Sequence, residues 1–305
     1  MRPLTRIVVS DADHGGDPPE EARPVPAGFG EHLSLRNFNR LADFIQNSAG
    51  IRLPLAKKSM VEGRLHRRLK ALGLASGDEY CALLFGGGLE GEASHLIDVI
   101  TTNKTDFFRE PEHFRLLVAR VLPDLLEQPV RIGIGRPLKV WSAACSTGAE
   151  PYTLAMVLDD FARGRRGFRF EIVGTDICTG ALDKARMAVY PAEMIDPVPP
   201  DWRKRYVLRT RDPSDASVRM APFVREMVRF GQLNLMEESY PLDVMDVIFV
   251  RNILIYFDRE TQRRVLIRIC DRLRAGGYLF VGHSETVAGN GLPLESVAAA
   301  LYRRV

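Results

Sequence analysis

Two acidic residues stand where a nucleoside-binding chain would place them. Glu150 ends the small-residue turn "CSTGAE" (145–150), and Asp176 closes the strand-like run "FRFEIVGTDI" (168–177). Ala143, Ala144, Ser146, Gly148 and Ala149 let the backbone turn tightly into a helix and approach a ligand at the carboxyl edge of a sheet. An acid at the end of the second strand occupies the place that holds ribose hydroxyls in a doubly wound fold. Glu150, at the start of a helix, repels phosphate and attracts an ammonium group. Neither GxGxxG nor GxxxxGK[ST] occurs, which argues against a dinucleotide and against a kinase or ATPase phosphate cradle. A ligand with a ribose, no phosphate and a positive amino group fits, and S-adenosylmethionine is such a ligand. The same two residues have a local alternative: Glu150 favours its own helix N-terminus, and Asp176 caps the helix that follows.

A second stretch, "TTNKTDFFREPEHF" (101–114), carries neither a helical stripe nor a strand alternation. Asn103, Thr105 and Arg109 crowd around Phe107 and Phe108, where an ordinary linker would show only capping threonines. The elements that must position these residues fall into two sets. Residues 1–30 are rich in proline and glycine and poor in apolar residues, and are expected to be a disordered tail. Residues 31–100 read as a small all-helical domain. Its first helix carries Leu35, Phe38, Leu41, Phe44 and Ile45 and ends at Gly50; a second runs from about Leu55 to Leu72 and ends at Gly73. A third starts at a Ser76–Glu79 capping box, and a fourth covers Glu90 to Ile100. From Val130 onward strands alternate with helices, so residues 101–305 are expected to form an α/β domain with a mostly parallel sheet. Between about residues 191 and 231 the alternation lapses. "YVLRTRD", "SVRMA" and "MVRFGQ" suggest a small antiparallel insertion.

Composition limits the remaining possibilities. The 305 residues are 46% hydrophobic and 27% charged with a formal charge of +3, values of a globular chain with a real core. No apolar run is long enough to cross a membrane and no apolar leader stands at the N-terminus, so a cytoplasmic protein is expected. The cysteines at 81, 145, 178 and 270 are too scattered for a disulfide framework, and no CxxC pair or Cys/His cluster suggests a metal.

Taken together, "TTNKTDFFREPEHF", "VWSAACSTGAEPYTLAM", "VGTDI", "NL" at 234–235, "VIFVRNILIYF" and "LFVGHSE" resemble the chemotaxis receptor methyltransferases, the CheR family, over about residues 33–305. The resemblance implies a helical N-terminal domain followed by a Rossmann-like methyltransferase domain with a small β-subdomain. It implies S-adenosylmethionine as cofactor and S-adenosylhomocysteine as product. The substrate it implies is the glutamate side chains of chemoreceptor helices, methylated to glutamyl esters. By the same resemblance Asn103, Thr105, Arg109, Glu150, Asp176, Asn234, Leu235, Arg251 and Asn252 line the cofactor site. Arg109 and Tyr256 match residues that face the reaction. The 101–114 stretch becomes a joint folded over the cofactor, with Phe107 and Phe108 buried and its polar residues in contact with the ligand.

The residue chemistry agrees with that expectation. A glutamate carboxylate, with a pKa of about 4.3, is already ionised at neutral pH and needs no general base. The sequence offers no Ser/His/Asp or Cys/His constellation. Arg109 is expected to position a carboxylate, Tyr256 to hydrogen-bond near the attacking oxygen, and His283 to be structural. Between residues 57 and 70, Lys57, Lys58, Arg64, Arg67, Arg68 and Lys70 outnumber one acid, Glu62. The bland reading is a solvated helix face; an acidic receptor helix gives the charge a use, with Arg64, Arg67 and Arg68 as the recognition residues. The helix lacks interleaved aromatics, so nucleic acid is not expected as a partner. A monomer is expected, meeting the membrane only through receptors. The resemblance also implies a place for a receptor C-terminal peptide at the β-subdomain, although the loop "TRDPSDAS" carries none of the glycines of peptide-binding members.

Overall fold

The computed structural model describes residues 32–287 and 291–305, apart from positions 90, 131, 211, 213 and 215. The expected tail, residues 1–30, lies outside the described residues. Four helices form the N-terminal bundle: α1 (Leu35–Ala49), α2 (Lys58–Leu72), α3 (Gly77–Phe85) and α4 (Glu92–Ile100). Ser34 caps α1 by accepting the Asn37 N–H, and Gly50 ends it in the left-handed conformation. Ser76 caps α3 by accepting the Glu79 N–H, while the Glu79 carboxylate reaches back to the Ala75 N–H, one residue before the usual capping-box partner. Phe38, Leu41 and Ile45 are buried, but Leu35, expected in the same stripe, is 53% exposed at the first turn. Helix α4 begins at Glu92 rather than at Glu90 because Gly91 takes φ 74°, outside helical space.

The α/β part opens with α5 (Glu112–Leu116), which continues through a π-helical turn, Leu117–Val121, into α6 (Leu122–Glu127). There follow β1 (Leu138–Ala143), α7 (Ala149–Arg163), β2 (Phe170–Asp176), α8 (Thr179–Met187) and β3 (Val189–Pro191). Next come α9 (Pro200–Tyr206), β4 (Val207–Arg209), β5 (Ser217–Met220), α10 (Pro222–Glu226) and β6 (Val228–Gln232). The chain closes with β7 (Met245–Val250), α11 (Arg259–Arg272), β8 (Leu273–Val281), β9 (Leu294–Ala298) and β10 (Leu301–Arg304).

The main sheet has the order β6-β2-β1-β7-β8-β10-β9. Its strands are parallel from β6 to β8, and at the far edge β10 runs antiparallel to both its neighbours, β8 and β9. A second sheet, β3-β5-β4, is antiparallel and forms the insertion. One expectation is corrected here. "MVRFGQ" is not part of the insertion's sheet: β6 pairs in parallel with β2 from Ile172 to Asp176. That position sets Phe230 edge-on against the Tyr152 ring, 5.6 Å away, beneath α7. The small sheet instead begins slightly earlier than residue 191, at Val189, which pairs with Arg219.

Both faces of the parallel strands are covered, so alternate residues of β7 enter two different cores. Val247 and Phe249 join α5, α6, α7 and the small sheet on one face. Ile248 and Val250 join α11 on the other, in a buried cluster continuous with Phe38, Leu41, Leu65 and Tyr80 of the bundle. The N-terminal helices are therefore packed into the sheet's own core, which fixes them beside the strand ends. Among the described residues no helix is long and apolar enough to cross a membrane.

Candidate active site

A cleft opens at the carboxyl ends of β1, β2 and β7. All ten residues expected at the cofactor and the reaction border it: Asn103, Thr105, Arg109, Glu150, Asp176, Asn234, Leu235, Arg251, Asn252 and Tyr256. The bundle supplies an apolar wall, with Ile51, Leu53 and Met60, opposite the strand ends.

On the sheet side the backbone does the positioning. Ala144 and Ser146 have φ 56° and 53°, and Gly148 has φ 90°. A Cβ on Gly148 would lie 2.8 Å from that of Ala185, so the tight entry into α7 depends on glycine there. The turn aims the Ser146 N–H at Asp176 Oδ2 (2.7 Å), while Asp176 Oδ1 accepts the Cys178 N–H (2.9 Å). Burial, opposed by these N–H groups, raises the Asp176 pKa. Asp176 does not cap α8, as the local alternative had it: Asp98 of α4 does, accepting the N–H groups of Thr179 and Gly180. Each Asp176 oxygen keeps acceptor capacity beyond its single N–H.

Glu150 stands in the first turn of α7. Its carboxylate accepts from Ser142 Oγ (2.7 Å) and pairs with Arg251 Nη1 (2.7 Å). The Arg251 side chain is 2% exposed and is gripped on the other side by Glu110 (3.0 Å), and it donates to the Arg109 carbonyl (2.5 Å). Its Nε has no partner among the described residues. An ammonium–carboxylate pair, the amino-acid end of S-adenosylmethionine, is the complement of this Glu150–Arg251 pair. Asn252, at φ 59°, donates through its side chain to Glu110 Oε1 (3.1 Å).

The joint behaves as expected in part. Phe107 is buried edge-on to Tyr190, and Phe108 is half-buried against Phe114 and Trp202. Arg109 Nη1 donates to the Lys104 carbonyl (3.1 Å), and Asn103 presents its carbonyl to Ser146 Oγ (2.9 Å). On the far side, Asn234 donates to the Ser48 carbonyl (2.6 Å), tying the sheet to the bundle. Tyr256 lies on a short 3₁₀ turn, its carbonyl accepting the Arg52 N–H (3.1 Å) and its ring 5.7 Å from Lys57 Nζ.

Two carboxylates that the sequence reading left unassigned organise this site. Glu285 is buried and accepts N–H groups of Gly282, Asn252, Leu254 and Ile255, clamping the Tyr256 turn to the end of β8. Burial, opposed by the four N–H groups, raises its pKa. Glu110 binds Arg251 and Asn252 and accepts the His283 N–H (3.3 Å). Burial tends to raise its pKa, but Asn252 and Arg251 outweigh that and hold it low. Their only trace in the sequence is their place in "FFREPEHF" and "FVGHSE". Glu110 also lies near His113 and His283, with ligating atoms within 4.8 Å of one another. Because Glu110 is already committed to Arg251 and Asn252, this group reads as a structural contact behind the joint. His113 is fully buried, which lowers its pKa to about 4, with Arg251 adding to the effect.

The basic helix needs correction. Arg64 points inward and donates to the Ile100 and Thr101 carbonyls and to Thr102 Oγ1. Arg68 forms a two-pronged pair with Glu92, which is 2% exposed and also holds the Tyr80 hydroxyl. Both guanidiniums are thus engaged within the bundle, one at each end of α4. Arg67 and Lys70 remain exposed.

The seven-stranded sheet with its reversed final hairpin, and a cleft at the strand ends with a ribose-type acid and no phosphate loop, define an S-adenosylmethionine-dependent methyltransferase. Residues 103–302 match the CheR methyltransferase SAM-binding domain, and residues 36–101 match the CheR methyltransferase all-alpha domain. The chain belongs to the CheR methyltransferase family. It is 37% identical over 286 residues to chemotaxis protein methyltransferase 2 of Pseudomonas aeruginosa, covering 93% of this chain and 99% of that protein. To the chemotaxis protein methyltransferase of Escherichia coli K12 it is 39% identical over 254 residues, 83% of this chain and 85% of the relative.

Proposed function

We propose that the chain methylates glutamate side-chain carboxylates of chemoreceptors in the cytoplasm, giving glutamyl methyl esters. The observation that carries this reading is the Glu150–Arg251 ion pair beside the Asp176 carboxylate on one cleft. When bound, S-adenosylmethionine supplies a methyl group activated by its sulfonium. Asp176 accepts the ribose hydroxyls, Glu150 attracts the amino group, and Arg251 with Arg109 holds the carboxylate. Asn103, Thr105, Asn234, Leu235 and Asn252 complete the cofactor contacts.

The cofactor would offer that methyl carbon to an attacking carboxylate oxygen, with the sulfonium sulfur as the leaving group. No proton moves, so no base is needed. The chain must align the three atoms and exclude water. The joint and the apolar wall of Ile51, Leu53 and Met60 do the excluding. A strong contact to the attacking oxygen would stabilise the ground state, so the neutral Tyr256 hydroxyl suits that position better than a cation. Arg67 and Lys70 on α2 attract an acidic receptor helix, and the working unit is one chain. The open edge of β4 offers strand addition to a receptor C-terminal peptide.

Incubation with methyl-labelled cofactor and receptor-rich membranes tests the proposal. Base-labile label on the receptor is expected. Label on RNA, base-stable label, or cofactor binding without transfer would overturn it.

A further inference from the structure

Three cleft residues, Arg251, Asn252 and Tyr256, follow one another closely just past the end of β7. The sheet ladder has stopped there, so the backbone groups of this stretch need other partners. The 3₁₀ turn Leu254–Tyr256 closes only its last amides: the Tyr256 N–H reaches the Ile253 carbonyl, and the Phe257 N–H reaches the Leu254 carbonyl. The N–H groups ahead of them are orphans of the kind left at any helix start, and no side chain at the turn's own N-cap takes them.

Glu285 takes them from the loop after β8. Its Oε1 accepts the N–H groups of Leu254 (2.7 Å) and Ile255 (3.3 Å). Its Oε2 accepts those of Asn252 (2.8 Å) and Gly282 (2.7 Å). Each oxygen faces two donors, a demand that an ionised carboxylate meets and an amide does not. A Cβ on Gly282 would lie 2.7 Å from Glu285 Oε2 and 2.7 Å from Asn252 Nδ2, so glycine there lets the loop reach the turn. The carbonyls of the turn are held separately, by Gln262 Nε2 of α11 on Leu254 (2.9 Å) and Phe257 (3.1 Å). Glu285 is buried and is not among the residues that line the cleft, so it acts on the reaction only through the turn.

We infer that Glu285 is a positioning residue for methyl transfer: by gathering the N–H groups of Asn252, Leu254 and Ile255 it aims the Tyr256 hydroxyl at the attacking oxygen. The inference rests on the proposed role of Tyr256, and the test separates the two. Turnover of the full chain is measured on receptor-rich membranes at saturating cofactor and receptor, and S-adenosylhomocysteine affinity by calorimetric titration. Parental kcat in Tyr256→Phe overturns the role of Tyr256 and the inference with it. With Tyr256→Phe slowed about tenfold, Glu285→Gln should be slowed by a similar factor, because its NH2, whichever way it is turned, faces two N–H donors. Adding Glu285→Gln to Tyr256→Phe should then cost little more, since the hydroxyl it aims is already gone. Affinity for S-adenosylhomocysteine should fall less than kcat. Gly282→Ala, which displaces the carboxylate and keeps its charge, should repeat this non-additivity and guards against misfolding of Glu285→Gln. Losses that multiply to about a hundredfold in the double variant mark an independent brace and overturn the inference. So does a lower Tm with parental kcat, or a loss of S-adenosylhomocysteine affinity as large as the loss of kcat.

Discussion

The two walls of the cleft are built by different means. On the sheet wall, Ser146, Glu150, Asp176 and Arg251 follow directly from strand ends whose register is fixed by backbone pairing. On the joint wall, residues 101–110 have no ladder and rely on side chains: Arg64 from α2, and Glu110 reaching to Arg251, Asn252 and His283. The joint also holds Phe108 and Glu110 at φ 53° and 55°, a backbone state that a non-glycine residue adopts only when its surroundings enforce it. The difference teaches that the binding half of the site is set by topology and the covering half by a side-chain network. Damage to the first should appear as lost affinity alone, and damage to the second should also cost stability or turnover.

The largest effect belongs to the sheet wall. Asp176→Ala should weaken S-adenosylhomocysteine binding by about 1.5–3 kcal/mol if the carboxylate makes charge-assisted hydrogen bonds to the ribose. Isothermal titration measures it, and unchanged affinity in both Asp176→Ala and Glu150→Ala would sink the cofactor assignment.

The next effect probes the covering wall through pH. His113 is held neutral in the fold, its pKa lowered from 6.5 to about 4 by burial. A depressed histidine favours folding above its unfolded pKa, and that stability is lost as pH falls from about 6.5 toward 4. Between pH 7.5 and 5 the loss should be about 2 kcal/mol. Chemical denaturation at several pH values measures it. His113→Phe should flatten the curve, and an identical pH dependence in both proteins would contradict the account.

How much of this contrast was legible beforehand follows the same division. The place of Asp176 and Glu150 on the cleft was legible because strand–turn–helix patterns fix where such residues fall. Arg251, Asn252, Asn234 and Tyr256 became legible only through the resemblance, since nothing in their local spacing marks them. The internal partners of Arg64 and Arg68 were not legible, because a cation's place in a helical run does not say whether an acceptor lies across the bundle. The pairing of β6 with β2 was missed for a similar reason: a short apolar run does not name its neighbour.

A smaller effect concerns the reaction itself. If the Tyr256 hydroxyl meets the substrate oxygen in the transition state, Tyr256→Phe should lower kcat by about tenfold while S-adenosylhomocysteine affinity stays near the parent's. Parental turnover would reduce Tyr256 to a packing residue on its turn.

The smallest effect lies on the outer face of α2. Reversing Arg67 and Lys70 to Glu should raise the receptor KM a few-fold and flatten its salt dependence, since exposed charges act over a Debye length of about 10 Å at 0.1 M salt. Steady-state methylation at two salt concentrations measures this, and an unchanged KM at both would remove α2 from receptor recognition.

The central claim is the placement of the cofactor between the two walls. A crystal structure with S-adenosylhomocysteine tests it most directly. The account predicts one ligand per chain, with its ribose hydroxyls on Asp176, its amino group at Glu150 and its carboxylate at Arg251. Ligand density outside this cleft, or a ligand in the cleft with its ribose turned away from Asp176, would contradict it.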